Sequence, residues 1–326
     1  MEIKKMVEFY SKKINDVKKE IERCVFGQRE AISSVLQCLM CNGHVLLEGV
    51  PGVGKTMTVL VLYRTIKDAV YQRIQFTPDL LPSDIVGTLI YRKGKGFEVQ
   101  KGPVFGNIIV ADEINRAPSK VQSAMLQAMQ EREVTIGKET YPLPKPFMVL
   151  ATQNPLETKG VYPLPEAQID RFLFKVNVGY PDRESEKRII EDNKEVKSLD
   201  DYNIKKIVSK EDIVNIQKLV PKIKCSEEIK KYIVKIVFAT RQPKKYNIEL
   251  GKYIKWGASP RASIFLSLAG KANAMTEGRD YVTPDDIRKI AHNVLRHRMI
   301  LNYEGKARNI STDDIIDDII KRVPVI

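Results

Sequence analysis

The chain has 326 residues, of which 43% are hydrophobic and 29% charged, and its net charge is +13. That length admits two domains of roughly 150 residues, and that composition excludes a disordered chain. Four cysteines are too few for a disulfide framework in a chain of this size, and the longest apolar runs, such as Ile108-Ile109-Val110-Ala111, fall far short of the roughly 18 residues that span a bilayer.

The N-terminal stretch, residues 1–23, mixes lysine with glutamate throughout. A secretory leader is basic first and apolar afterwards, so a cytoplasmic protein without membrane insertion is expected. Ala31, Val35, Leu36 and Leu39 mark an apolar helical stretch. It also carries Cys38 and Cys41, a C-x-x-C pair with no second pair or nearby histidine to complete a zinc set, so buried core thiols are expected.

Residues 44–48 form a short apolar strand that runs into glycine-rich sequence, and a helix follows from 55 to about 69. Residues 71–76 and 107–111 are further strand candidates. Pro118 and Ser119 open a helix with Val121, Ala124, Met125, Ala128 and Met129 on one stripe, the spacing of a single buried face. Residues 147–151 and 172–176 bring the strands to five. Strands alternating with helices predict an α/β fold, a parallel five-stranded sheet sandwiched by helices.

Beyond Gly179-Tyr180-Pro181 the strand-like runs stop. Ser209 precedes Glu211 and Asp212, and Thr283-Pro284-Asp285-Asp286 supplies an N-cap, a first-turn proline and two first-turn acids, all helix-start signals. Ile229, Tyr232, Ile233, Ile236 and Val237 mark another helical face. The expected division is therefore an α/β domain over 1–180 and an all-helical domain over 181–326. Between Lys218 and Arg261 the chain carries twelve basic residues against three acidic ones. A solvated lysine-rich face is the expectation, with nucleic-acid binding as the rival. His44 opens the first strand, and His292 and His297 are five apart and share no helix face, so all three histidines are read as structural.

The chemistry concentrates at two points. Gly49-Val50-Pro51-Gly52-Val53-Gly54-Lys55-Thr56 fits G-x-x-x-x-G-K-[ST], with a strand before it and a helix after it. Its glycines let backbone N–H groups turn toward phosphates at a helix N-terminus. Lys55 is expected on the β- and γ-phosphates and the Thr56 hydroxyl on Mg²⁺. The second point is Asp112-Glu113, two carboxylates at the C-terminal end of a buried strand, where open α/β sheets bind ligands. Asp112 is the expected Mg²⁺ ligand and Glu113 the general base that polarises the attacking water. Together these predict an Mg²⁺-dependent ATPase.

At these residues the sequence resembles the AAA+ superfamily, in its MoxR branch. The similar blocks are Val25-Phe26-Gly27-Gln28, GVPGVGKT (49–56), ADEINRAPSKVQSAMLQAMQE (111–131), ATQNP (151–155), YPLPEAQIDRF (162–172), GASPRA (257–262), GRDYVTPDDI (278–287) and VLRHR (294–298), spread over nearly the whole chain. The resemblance implies that the second domain is a lid, that Val25, Phe26, Gly27 and Gln28 line the adenine pocket, and that Met57 joins the loop in holding ATP. It implies that Asn154 is the sensor helping Glu113 position water. Arg171 would be the arginine finger serving a neighbouring subunit, and Arg261 a second sensor on the lid, acting in cis or in trans. Asn115 and Arg116 follow the acids directly and are secondary candidates for the subunit interface. The segments 88–101 and 130–147 resemble the helix-two insert and the hairpin before the first sensor, with Lys93, Lys95 and Phe97 either gripping a partner or packing on the sheet. The implied assembly is a homo-oligomer, a hexameric ring. The implied activity is chaperone-like remodelling or maturation of protein partners with a von Willebrand factor A domain, the alternative being a nucleic-acid motor or loader.

Overall fold

The computed structural model describes residues 2–156, 160–192 and 199–325. The expected domain ranges also include residues 1, 157–159, 193–198 and 326, which lie outside the described residues. The chain divides into two compact units, one of Asn15–Phe172 with Val176–Val214, the other of Met1–Ile14, Leu173–Lys175 and Asn215–Ile326. No helix among the described residues is long and apolar enough to cross a membrane.

The helix α1 (Glu2–Cys24) buries Val7, Tyr10, Ile14, Val17 and Ile21, an alternation of three and four residues that places them on one stripe. After it, α2 (Arg29–Met40) precedes β1 (Val45–Glu48), and α3 (Lys55–Thr65) follows the glycine-rich turn. The remaining strands of the main sheet are β2 (Tyr71–Gln75), β3 (Ile108–Asp112), β4 (Met148–Gln153) and β5 (Phe174–Asn177). Their spatial order is β5-β1-β4-β3-β2, and β1 with β4, β4 with β3 and β3 with β2 are parallel. Val45 to Leu47, Ile108 to Ala111 and Met148 to Ala151 are all buried. Such unbroken apolar runs are the signature of strands covered on both faces.

Register puts the C-terminal ends of the strands level, with Glu48 opposite Gln153 and Gln75 opposite Asp112. At the other end buried Asn107 ties three strands together. Its side chain accepts from Val70 N at 3.0 Å and donates to Pro146 O at 2.8 Å. The sheet is thus fixed at its base, and the ends that carry the motifs meet at its top.

The helix after the glycine-rich loop ends at Thr65, earlier than the periodicity predicts. Ile66 is extended (φ −102°, ψ 122°) and pairs in parallel with Val208, and Asp68 turns the chain at φ +55°. Two antiparallel hairpins interrupt the α/β alternation, Gly87–Arg92 with Gly96–Lys101 and Glu133–Ile136 with Glu139–Pro142. At the first hairpin's tip Tyr91 and Phe97 meet edge-to-face at 5.5 Å, and Phe97 is 74% exposed. Phe97 therefore does not pack on the sheet, and Lys93 and Lys95 beside it are exposed too.

The second unit is helical, with α5 (Glu227–Arg241), α6 (Pro260–Thr276), α7 (Pro284–Leu295) and α8 (Thr312–Arg322). Thr283 and Asp286 close a capping box on α7, and Ser311 and Asp314 one on α8, each satisfying N–H groups that a helix start leaves unpaired. Asp286 is buried and also receives Arg279 at 2.6 Å and Asn273 at 2.7 Å. One short antiparallel ladder, Ile254–Trp256 with Ile300–Leu301, joins these helices. It is too short for periodicity to reveal.

Candidate functional site

The loop after β1 starts at Gly49, whose N–H donates to Gln153 O at 3.3 Å on the neighbouring β4. Gly52 and Gly54 then take φ of +85° and +81°, a left-handed conformation that would cost another residue about 1 kcal/mol. The turn delivers the chain into α3 at Lys55, so N–H groups of a helix start point into the loop. Lys55 Nζ donates to the carbonyls of Gly49 and of Val50, the latter at 3.1 Å. Burial pulls its ammonium below the ordinary lysine range, while the carboxylates of Asp112, Glu113 and Glu48 pull the other way.

The acid pair is splayed by its backbone. Asp112 ends β3, whereas Glu113 is left-handed at φ +55°, ψ +50°, so consecutive carboxylates leave the strand in different directions. Thr152 on β4 ties them together. Its hydroxyl donates to Asp112 Oδ1 at 2.5 Å and accepts from Glu113 N at 2.9 Å. Arg73 donates to Asp112 Oδ2 from Nη2 at 2.6 Å and from Nε at 3.2 Å, and this bond holds the guanidinium above its usual pKa. Gln75 Nε2 donates to Glu113 Oε2 at 3.0 Å, and Arg116 Nε lies 3.3 Å from the same oxygen. Asn154 is buried just past β4, with its Oδ1 accepting from Leu156 N at 3.1 Å.

Lys55, Thr56, Arg73, Asp112, Glu113, Thr152 and Asn154 line one cavity of about 450 Å³. A second cavity of about 430 Å³ is lined by Val25, Phe26, Gln28 and Leu60, and the two share Gly52, Gly54 and Met57. Gln28 is fixed there by its side-chain N–H on Gly179 O at 3.0 Å. Gly27 faces an adjoining hollow together with Val25 and Phe26. A chamber lined by charged side chains, sharing residues with a more apolar one, matches a ligand with a charged end and a flat, weakly polar end. The donor chemistry fits a metal–triphosphate: the Thr56 hydroxyl and Asp112 carboxylate are hard oxygen ligands of the kind Mg²⁺ takes, and amides with an ammonium suit phosphate oxygens.

Arg171 donates from Nη1 to Leu126 O at 3.1 Å, in helix α4 (Ser119–Glu131). Arg261 stands in the first turn of α6, within the other unit. Neither is among the described residues lining the two cavities. The histidines are structural as expected at His44, which is buried between Met129 O and Val149 N at 3.0 Å each. Cys38 and Cys41 are buried and form no disulfide, and no metal-ligating cluster of three or more acids, cysteines or histidines occurs among the described residues.

Sequence reasoning missed Arg73 and Gln75, which belong to no motif, and gave no role to Thr152 within ATQNP (151–155). The available signal was the two-residue repeat of a strand. Arg73 and Gln75 share a face at the sheet's C-terminal end, and Thr152 stands one residue from the end of β4.

The family model described as the ATPase family associated with various cellular activities (AAA) matches residues 44–174, and the AAA lid domain matches 250–319. Chaperone MoxR1 of Mycobacterium tuberculosis is 46% identical over 306 residues, covering 93% of this chain and 80% of the relative. A Bacillus subtilis protein, YeaC, is 46% identical over 306 residues, covering 94% of this chain and 92% of the relative. A crystal structure of a Cytophaga hutchinsonii protein assigned as an ATPase superimposes with a TM-score of 0.91 at 50% identity, covering 98% of this chain and 97% of that one.

Proposed function

Because the chain belongs to the AAA family of ATPases, in its MoxR branch, we propose that it couples ATP hydrolysis to the remodelling or maturation of protein partners. It works as a hexameric ring, and its partners carry a von Willebrand factor A domain. The observation that carries the reading is the meeting, in one cavity, of the glycine turn, Lys55 and Thr56 with the carboxylates of Asp112 and Glu113. The protein-remodelling half draws its support from the 46% identity with a protein named a chaperone.

In this reading the adenine lies against Val25, Phe26, Gln28 and Met57, and the loop amides from Gly49 to Gly54 hold the phosphates. Thr56 and Asp112 hold Mg²⁺, which when bound neutralises charge on the phosphate oxygens. Lys55 supplies a cation on the β- and γ-phosphates. Glu113 accepts the proton of the attacking water, and Asn154, fixed by its bond from Leu156 N, orients that water. Arg171 reaches the site of the neighbouring subunit, where an arginine supplied in trans is worth about 10³–10⁵ in rate. Arg261 acts as a second arginine from the lid. The exposed Phe97, Lys93 and Lys95 on the first hairpin grip the partner.

Affinity capture with the Glu113→Gln protein and ATP tests the partner class. Recovery of a protein with a von Willebrand factor A domain, dependent on ATP, is the expected result, and capture independent of nucleotide contradicts it. The basic segment between Lys218 and Arg261, with Trp256 exposed, keeps a nucleic-acid motor as the second reading. Turnover stimulated by DNA and suppressed by salt would favour it.

A further inference from the structure

The ion pair between Arg73 and Asp112 plays no part in the roles above, yet it lies inside the phosphate cavity. Arg73 is on β2, the edge strand, opposite Val110, and its side chain runs forward to the carboxylate that ends β3. Both of its donors converge on Oδ2, and Thr152 takes Oδ1. Each carboxylate oxygen is therefore engaged. The partners differ in burial: the Asp112 side chain is 13% exposed and the Arg73 side chain 52%. The anion is a fixed part of the wall, while the cation is half in water and free to leave at little cost in packing. A guanidinium and a divalent ion drawn to one carboxylate oxygen repel each other at contact distance, so the two states of Asp112 exclude one another.

We propose that Arg73 is a resident counter-cation for Asp112 that competes with the divalent metal of the nucleotide site. Before the metal arrives, Arg73 neutralises a carboxylate that would otherwise repel the incoming phosphates. When Asp112 takes its metal, Arg73 withdraws. This rests on the nucleotide-site reading given above. It makes Arg73 a positioning residue, and it predicts effects of opposite sign on two ligands, which loss of a merely structural ion pair does not produce.

The test measures Mn²⁺ binding by electron paramagnetic resonance in the presence of a non-hydrolysable ATP analogue, and binding of a fluorescent ATP analogue in EDTA, for the full chain and for Arg73→Gln. The expected result is about two- to fivefold tighter Mn²⁺ binding and about two- to fivefold weaker metal-free nucleotide binding, the range of a half-exposed ion pair. Arg73→Lys keeps the charge but loses the fork. It is expected between the two proteins, and it carries the comparison should Arg73→Gln not be recovered folded. Mn²⁺ affinity in the variant equal to or below that of the unsubstituted protein overturns the competition and leaves the nucleotide site in place. Failure of the unsubstituted protein to bind either analogue, with or without Mn²⁺, overturns both.

Discussion

Replacing His44 with glutamine probes how the first strand of the sheet is held, because this ring is 5% exposed and engaged at both nitrogens. Nδ1 accepts from Val149 N, so the proton must sit on Nε2, which donates to Met129 O. A second proton would set an N–H against the Val149 N–H. Burial first, and then the charge of Arg132, pull the pKa down to about 3, with the Met129 carbonyl opposing. In the unfolded chain the group titrates near 6.5. The folded pKa is the depressed one, so its stability contribution is complete above pH 6.5 and is lost as pH falls from 6.5 toward 3. At pH 5 the unfolded state has gained about 1.5 pH units of protonation, or about 2 kcal/mol. Glutamine offers a donor and an acceptor without a titrating proton. Urea unfolding at pH 7.5 and pH 5.0 is expected to show the unsubstituted protein losing about 2 kcal/mol more than His44→Gln across that interval. Equal losses in the two proteins, or an NMR titration of the His44 ring centred near 6.5, would refute the reasoning.

Lys55→Ala is expected to abolish nucleotide binding by equilibrium titration, since the cavity's only lysine is removed among its described lining residues. Glu113→Gln should keep binding while turnover falls by about 10²–10⁴, and normal turnover would remove the general-base role. Thr152→Val deletes the hydroxyl that holds both acids, and a loss of about 10–100-fold in metal affinity or activity is expected, as for other residues that orient metal ligands. Arg171→Ala subunits mixed with Glu113→Gln subunits should regain ATP hydrolysis at shared interfaces, and absence of any rescue speaks against an arginine supplied in trans.

The fold was legible where the physics is local. Unbroken apolar runs such as 108–111 announce buried parallel strands, and Thr283-Pro284-Asp285-Asp286 announces a helix start, because each depends on near neighbours in the chain. The glycine turn and the acid pair were legible for the same reason. Thr65 as the end of α3 was not, because Ile66 is drawn into extended geometry by Val208, 142 positions along. The Arg73–Asp112 and Thr152–Asp112 bonds were hidden likewise, since strand order decides them and no short motif encodes it.

The left-handed turn at Glu113 has a bearing on how such a site can vary. A non-glycine residue in that conformation costs of the order of 1–3 kcal/mol and persists only where its surroundings offset that cost, and here one threonine hydroxyl on the next strand supports both the turn and the preceding aspartate. The angle between the group assigned to the metal and the group assigned to the water is thus a property of the frame, set by a neighbour that is given neither task. A change at Thr152 therefore acts on both acids at once, whereas a change at Gln75 or Arg116 acts on Glu113 alone.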